Sequence, residues 1–373
     1  MARKLIICCD GTANQFAEDR TNVLKLAYAA AKDQSQLLYY HPGVGTMAPP
    51  GLFTTIGRKT AELAGLAFGY GLKADVRDAY TFIMDHYEPG DDIYIFGFSR
   101  GAYTARAVCS LLSRYGLVSP GNAPLVPYAI NLLWGIHQAT GAKRQKCFEL
   151  ADEFKATLSI GGCRPRFLGV WDTVSSVGWI ANPLALPDTA TLPDVQTIRH
   201  AVSIDERRAF FRTNLVVRDP ARDIQEVWFA GDHCDVGGGH AEAVSGLSKI
   251  PLQWMIGEAL NAGMTFNDAR VQEVLGNPPG KYQPPNANGP AHDMMWPYWW
   301  PAEFVPKKHY DKITGKRNWH LNLFSRRHYS AAPVIDDSVY ERGDDYVKRL
   351  PPDAVKRSKF LEELAGTRGR GSV

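Results

Sequence analysis

The 373-residue chain has six cysteines, and no two of them form a CxxC pair. That spacing offers neither a zinc ribbon nor a dithiol redox motif. Several of the thiols lie in apolar runs, so buried free cysteines are expected rather than disulfides. An excess of one charge is also missing. The net charge is +3, too small to argue for nucleic acid as a partner. The Lys/Arg-rich end, Val355-Lys-Arg and Thr367-Arg-Gly-Arg-Gly, reads as a solvated tail. No apolar run reaches transmembrane length. The start, Met1-Ala-Arg-Lys running into Leu5–Cys9, is too short for a signal-peptide core. The expectation is a chain made in the cytoplasm, with any export by a signal-less route. There is no internal repeat. The glycine stretches Gly65–Gly71 and Gly237–Gly239 lack the GxxxxGK[ST] pattern of a phosphate cradle.

Five apolar runs are present: Lys4–Cys9, Gln36–Tyr40, Asp92–Phe96, Arg166–Trp171 and Glu226–Ala230. Near-continuous apolar runs alternating with helices predict a parallel sheet covered on both faces. The fold class expected is therefore α/β, an α/β-hydrolase-like mostly parallel sheet with helices on both faces. Helices are predicted over Leu72–Tyr87, Ala102–Leu112 and Pro251–Ala262. From about Gly276 the texture shifts to Pro, Asn, Gly and Trp, including Trp296-Pro-Tyr-Trp-Trp-Pro. Residues 1–275 are read as the core, and 276–373 as a loop-rich cap and extension completing the same domain. The Trp296–Trp300 cluster either packs the cap or touches acyl chains.

The run Ile93–Phe98 leads into Gly97-x-Ser99-x-Gly101, which an Ala-rich helical stretch follows. Strand, GxSxG turn and helix together match a nucleophile elbow. The turn is strained, and side chains at the two glycines would strike a neighbouring strand or helix. It presents Ser99 at the start of a helix, where the Arg100 amide can face a developing oxyanion. The first strand ends in Cys8-Cys-Asp10-Gly11-Thr12, and amides there, Gly11 among them, offer a second oxyanion donor. A phosphatase of the Asp-x-Asp-Gly-Thr type is set aside because position 8 is Cys.

A serine nucleophile needs a base and an orienting acid, and in this fold they follow in the order Ser, Asp/Glu, His. Asp172 ends the strand after the elbow. Asp235 follows the next apolar run and precedes three glycines. Either could instead cap a helix or form a turn. Asp172 with His233 satisfies the order, and so does Asp235 with His292. A metal held by His233-Cys-Asp235 would lack a full ligand set. The remaining histidines have no comparable setting.

These segments resemble an α/β-hydrolase family of largely uncharacterised proteins that includes phospholipase effectors of bacterial type VI secretion. The matching pieces are Cys9-Asp-Gly-Thr-Ala-Asn, Ala67-Phe-Gly-Tyr-Gly-Leu, the Tyr87–Arg106 segment around Ser99, Gly169-Val-Trp-Asp-Thr-Val and Trp228-Phe-Ala-Gly-Asp-His-Cys-Asp-Val-Gly-Gly-Gly. The resemblance implies ester hydrolysis by a triad carried onto Ser99, Asp235 and His292. Asp10, Asp172 and His233 then line the pocket. It implies an ester or lipid substrate; the chemistry requires no cofactor or metal, and any membrane contact is peripheral. The competing expectations are a catalytically silent binding protein on the same fold, or a thioesterase or peptidase with the same triad.

Overall fold

The computed structural model describes residues 2–11, 20–43, 60–174, 178–179, 182–310 and 317–370. Eight strands form one sheet. In chain order they are β1 (Lys4–Cys9), β2 (Gln36–His41), β3 (Asp92–Phe98), β4 (Pro165–Trp171), β5 (Thr197–Ser203), β6 (Asp223–Phe229), β7 (Val334–Ile335) and β8 (Val355–Lys356). Their order across the sheet is β8-β7-β6-β5-β4-β3-β1-β2, and every neighbouring pair is parallel. The α/β, hydrolase-like parallel sheet expected from the apolar runs is what the chain forms.

Strand period explains the two cores. Along β1, Leu5, Ile7 and Cys9 face one layer and Ile6 and Cys8 the other. The first layer is closed by α2 (Thr60–His86), α3 (Ser99–Tyr115), α4 (Leu125–Gln138) and α5 (Gly141–Leu158). The second is closed by α1 (Asn22–Ala29), α7 (Gly246–Asn261) and α8 (Asp268–Val274). With both faces covered, β1 and the middle of β3 are apolar throughout, as a buried parallel sheet favours. Cys8, Cys9, Cys109 and Cys163 are buried free thiols.

β5 departs from the sequence expectation. Its sequence, TIRHAVS, is too polar to read as a buried strand, yet it is almost wholly buried. Its polar groups are neutralised on site. Arg199 pairs with Glu258 at 2.5 Å and with Asp223 at 3.0 Å, and His200 Nδ1 lies 2.9 Å from Glu226 Oε2. The missed strand also shifts the strand count. Asp235 therefore follows β6, two strands after the one that Asp172 ends.

The last two strands come from residues beyond 275, so the segment read as cap and extension completes the core sheet. Strand order reverses between β1 and β3, and ligands in open α/β sheets bind beyond the carboxyl ends at such a point. Ser99 sits there. No helix among the described residues is long and apolar enough to cross a membrane.

Candidate active site

β3 ends at Phe98 and α3 begins at Ser99, with no residue between them. Ser99 takes φ +58, a left-handed conformation that costs a non-glycine residue energy. A Cβ at Gly97 would lie 2.5 Å from the Gly101 carbonyl oxygen, and one at Gly101 2.2 Å from that of Cys9. Both glycines are thus dictated by contact with α3 and with the end of β1. Ser99 is largely covered, at 7% exposure.

Ser99 Oγ lies 2.7 Å from His233 Nε2. The other ring nitrogen, His233 Nδ1, lies 2.5 Å from Asp172 Oδ2. Asp172, fully buried, follows β4 with φ +40. Arg327 grips it with two nitrogens, at 2.5 and 2.9 Å, and the Ser203 amide donates to Oδ1 at 2.9 Å. Burial pushes the Asp172 carboxyl up. The Arg327 charge and the His233 hydrogen bond outweigh burial, and the group is held well below the usual carboxylate range. His233 is the first residue of a short helix, α6 (His233–Gly237), whose N-cap is Asp232. The His233 ring is packed by Phe98 at 4.6 Å and Phe211 at 4.7 Å between centroids. Phe211 in turn meets Trp299 at 5.5 Å, so the cap reaches the site through that tryptophan.

The sequence expectation paired Ser99 with His292 and Asp235. In the structure Ser99 meets His233 and Asp172 instead, the alternative pair that also obeys chain order. Asp235 is occupied elsewhere. Its Oδ2 accepts from the Asp232 amide at 3.0 Å, closing a capping box on α6, and from the His292 amide at 2.8 Å. Its Oδ1 lies 2.7 Å from His292 Nδ1. Asp235 and His292 are therefore brought together as expected, but with each other and not with Ser99. His233 is engaged by Ser99 and Asp172, which removes it from any metal set with Asp235. Two of the glycines after Asp235 serve packing: a Cβ at Gly237 would lie 1.9 Å from the Phe98 ring, and one at Gly238 2.7 Å from the Asn22 amide nitrogen.

Asp10 holds the end of β1 in place. It accepts from Thr21 Oγ1 at 2.6 Å, Tyr40 Oη at 2.7 Å and the Gly11 amide at 2.6 Å. The Gly11 amide, expected to serve an oxyanion, is thus turned onto Asp10. Its neighbour Thr12 lies outside the described residues. Arg100 provides the second amide of α3, in the first turn of the helix.

Arg327 and His240 are the residues that sequence reasoning passed over. Arg327 lies 155 positions from Asp172, and no local pattern marks it. His240 follows the three glycines, and its Nε2 lies 2.9 Å from Asp232 Oδ1. A surface cavity of about 330 Å³ between α7 and the chain's last helix, lined by Trp254, Glu258 and Arg357 among others, shares no residue with these groups.

Residues 3–258 match the family described as T6SS, phospholipase effector Tle1-like, catalytic domain. The chain belongs to that family. It is 35% identical over 223 residues to the uncharacterized protein YEL023C of Saccharomyces cerevisiae, covering 56% of this chain and 32% of the yeast protein. Among solved structures, an uncharacterized protein from Pseudomonas aeruginosa is similar at TM-score 0.43 and 22% identity, over 72% of this chain and 47% of that one. A Tle1 effector bound to the VgrG spike of the type 6 secretion system is similar at TM-score 0.36 and 20% identity, over 66% and 53%. The chain thus spans about a third of the yeast relative and about half of each solved structure. The family's name describes catalytic domains of phospholipase effectors, and the Ser99 segment lies inside the matched range.

Proposed function

We propose that this chain is a serine hydrolase that cleaves a carboxylic ester of a lipid through an acyl-enzyme. The observation that carries the reading is the unbroken line from Ser99 Oγ through both ring nitrogens of His233 to Asp172. Each atom has the role its chemistry allows. Ser99 Oγ attacks the acyl carbonyl while His233 Nε2 takes its proton. The same nitrogen then protonates the departing alcohol. Water, deprotonated by His233, releases the acid and restores Ser99. Asp172 accepts from Nδ1–H and steadies the imidazolium. Arg327 and the Ser203 amide keep that carboxylate ionised and aimed. The Arg100 amide, at the positive end of α3, faces the oxyanion. Left-handed backbone at both Ser99 and Asp172 fits strain held at a working site.

The family's description favours a phospholipid as the ester. Trp300, Phe304 and Leu323 are exposed apolar side chains around the cap, on which an aggregated lipid can rest. The test is fatty-acid release from phosphatidylethanolamine vesicles and from soluble p-nitrophenyl esters, with Ser99→Ala beside the wild type. Release by the wild type alone is the expected result. No release from any ester would overturn the reading.

A further inference from the structure

Four side chains of ligand type meet at α6, apart from the Ser99 line. Asp235 Oδ1 and one ring nitrogen each of His240 and His292 lie within 4.8 Å of one another. Asp235 Oδ1 is 2.7 Å from His292 Nδ1 and 4.0 Å from His240 Nε2. His240 Nε2 is also 2.9 Å from Asp232 Oδ1. The two imidazoles stack with centroids 3.9 Å apart. Asp232 and Asp235 are buried, at 2% and 1% exposure, while the two histidines are half-buried and leave a way in.

Helix capping accounts for only part of this arrangement. It uses Asp232 Oδ1 and Asp235 Oδ2. Asp235 Oδ1 faces the histidines instead. Asp232 Oδ2 is buried with no hydrogen-bond partner among the described residues. A buried polar atom left unpaired is costly. A divalent cation would take up the Asp235 oxygen that capping leaves facing the two histidines.

The donor set decides its class. Two imidazoles with carboxylate oxygens suit zinc and its neighbours, whereas calcium and magnesium take oxygen sets. Around a tetrahedral zinc, ligand atoms stand roughly 3.4 Å apart, given bonds of about 2.1 Å. Asp235 Oδ1 stands 2.7 and 4.0 Å from the two imidazole nitrogens, on either side of that value, and all three ligand atoms lie within 4.8 Å of one another. We propose that Asp235, His240 and His292 bind one zinc-class divalent cation, leaving its fourth position to solvent. The ion ties α6, which carries His233, to the cap segment that carries His292, 57 positions after Asp235. Its role is to hold the helix that bears His233; it takes no part in the bond changes.

The test uses tag-free full-length protein stripped with EDTA, desalted and titrated with zinc chloride, with bound metal counted by elemental analysis. Wild type and Ser99→Ala should each retain about one equivalent and gain thermal stability from it. The His240→Ala/His292→Ala double variant should lose that binding at least tenfold, by analogy with the loss of supporting ligands. Calcium and magnesium should not compete. Cobalt-loaded wild type should show visible absorption bands that excess zinc abolishes, a readout that needs no variant to fold. Fewer than about a tenth of an equivalent in the wild type, or full binding by the double variant, would overturn the proposal.

Discussion

His233 is held from both sides: Nε2 stands 2.7 Å from Ser99 Oγ, and Nδ1 stands 2.5 Å from Asp172 Oδ2. The ring is further fixed by Phe98 and Phe211. Only one tautomer suits this placement, with the proton on Nδ1 and a free pair on Nε2 facing the hydroxyl. The serine, histidine and aspartate come from the ends of three different strands or their following turns. The sheet, not any local segment, therefore sets the distances.

Asp172→Asn keeps the shape of the acid and removes its charge. The expected outcome is a drop in kcat on a soluble ester of about 10⁴-fold, the loss typical of a triad aspartate. Asp235→Asn should cost less than about 10²-fold, because it disturbs the cap of α6 and not the His233 tautomer. Steady-state kinetics on both variants decide this. Equal losses would contradict the assignment.

Arg327→Ala strips a buried carboxylate of its partner. Such a change costs about 3–5 kcal/mol of stability. Arg327→Lys keeps the charge but loses the two-nitrogen grip, so it should recover much of the stability and less of kcat. Thermal unfolding and kcat, measured together, separate the two effects. A lysine variant with full kcat would show that orientation by the fork is unimportant.

Asp75, on α2, is pushed up to about 7 by burial and by Asp78. Its folded pKa is above its unfolded value, so its stability contribution is full below about pH 4 and is lost as pH rises through about 7. Asp75→Asn should therefore unfold at a higher temperature than wild type at pH 8, with the gap closing toward pH 4. Melting curves at the two pH values test this. A gap independent of pH would contradict it.

Gly101→Ala places a methyl group 2.2 Å from the Cys9 carbonyl oxygen. Either β1 or α3 must move, and Ser99 moves with them. Loss of ester turnover is expected, along with a destabilisation of about 1–3 kcal/mol typical of overpacking. Normal turnover in this variant would show that the elbow tolerates the displacement.

Much of this was readable from the chain. The apolar runs matched β1 to its ends and located β2, β3, β4 and β6, because a doubly covered parallel sheet admits few polar residues. The elbow was readable because strand, GxSxG turn and helix follow one another in a short stretch of chain. β5 was not, since Arg199, His200 and Ser203 are made tolerable only by partners such as Glu258 and Glu226, distant in sequence. That omission bore on the site. With one strand uncounted, Asp235 appeared to follow the strand next to that of Asp172, and it drew the role of acid. Arg327 could not be found at all, because a salt bridge spanning 155 positions leaves no local pattern. His233 and Asp172 were both in view, and only three-dimensional distance separates their pairing from that of His292 and Asp235.

The most direct test is labelling of the purified protein by a fluorophosphonate probe, which reports an activated serine. Wild type should be labelled. Ser99→Ala and His233→Ala should not be, and His292→Ala should still react. Labelling that survives His233→Ala but is lost in His292→Ala would contradict the account, and so would an unlabelled wild type.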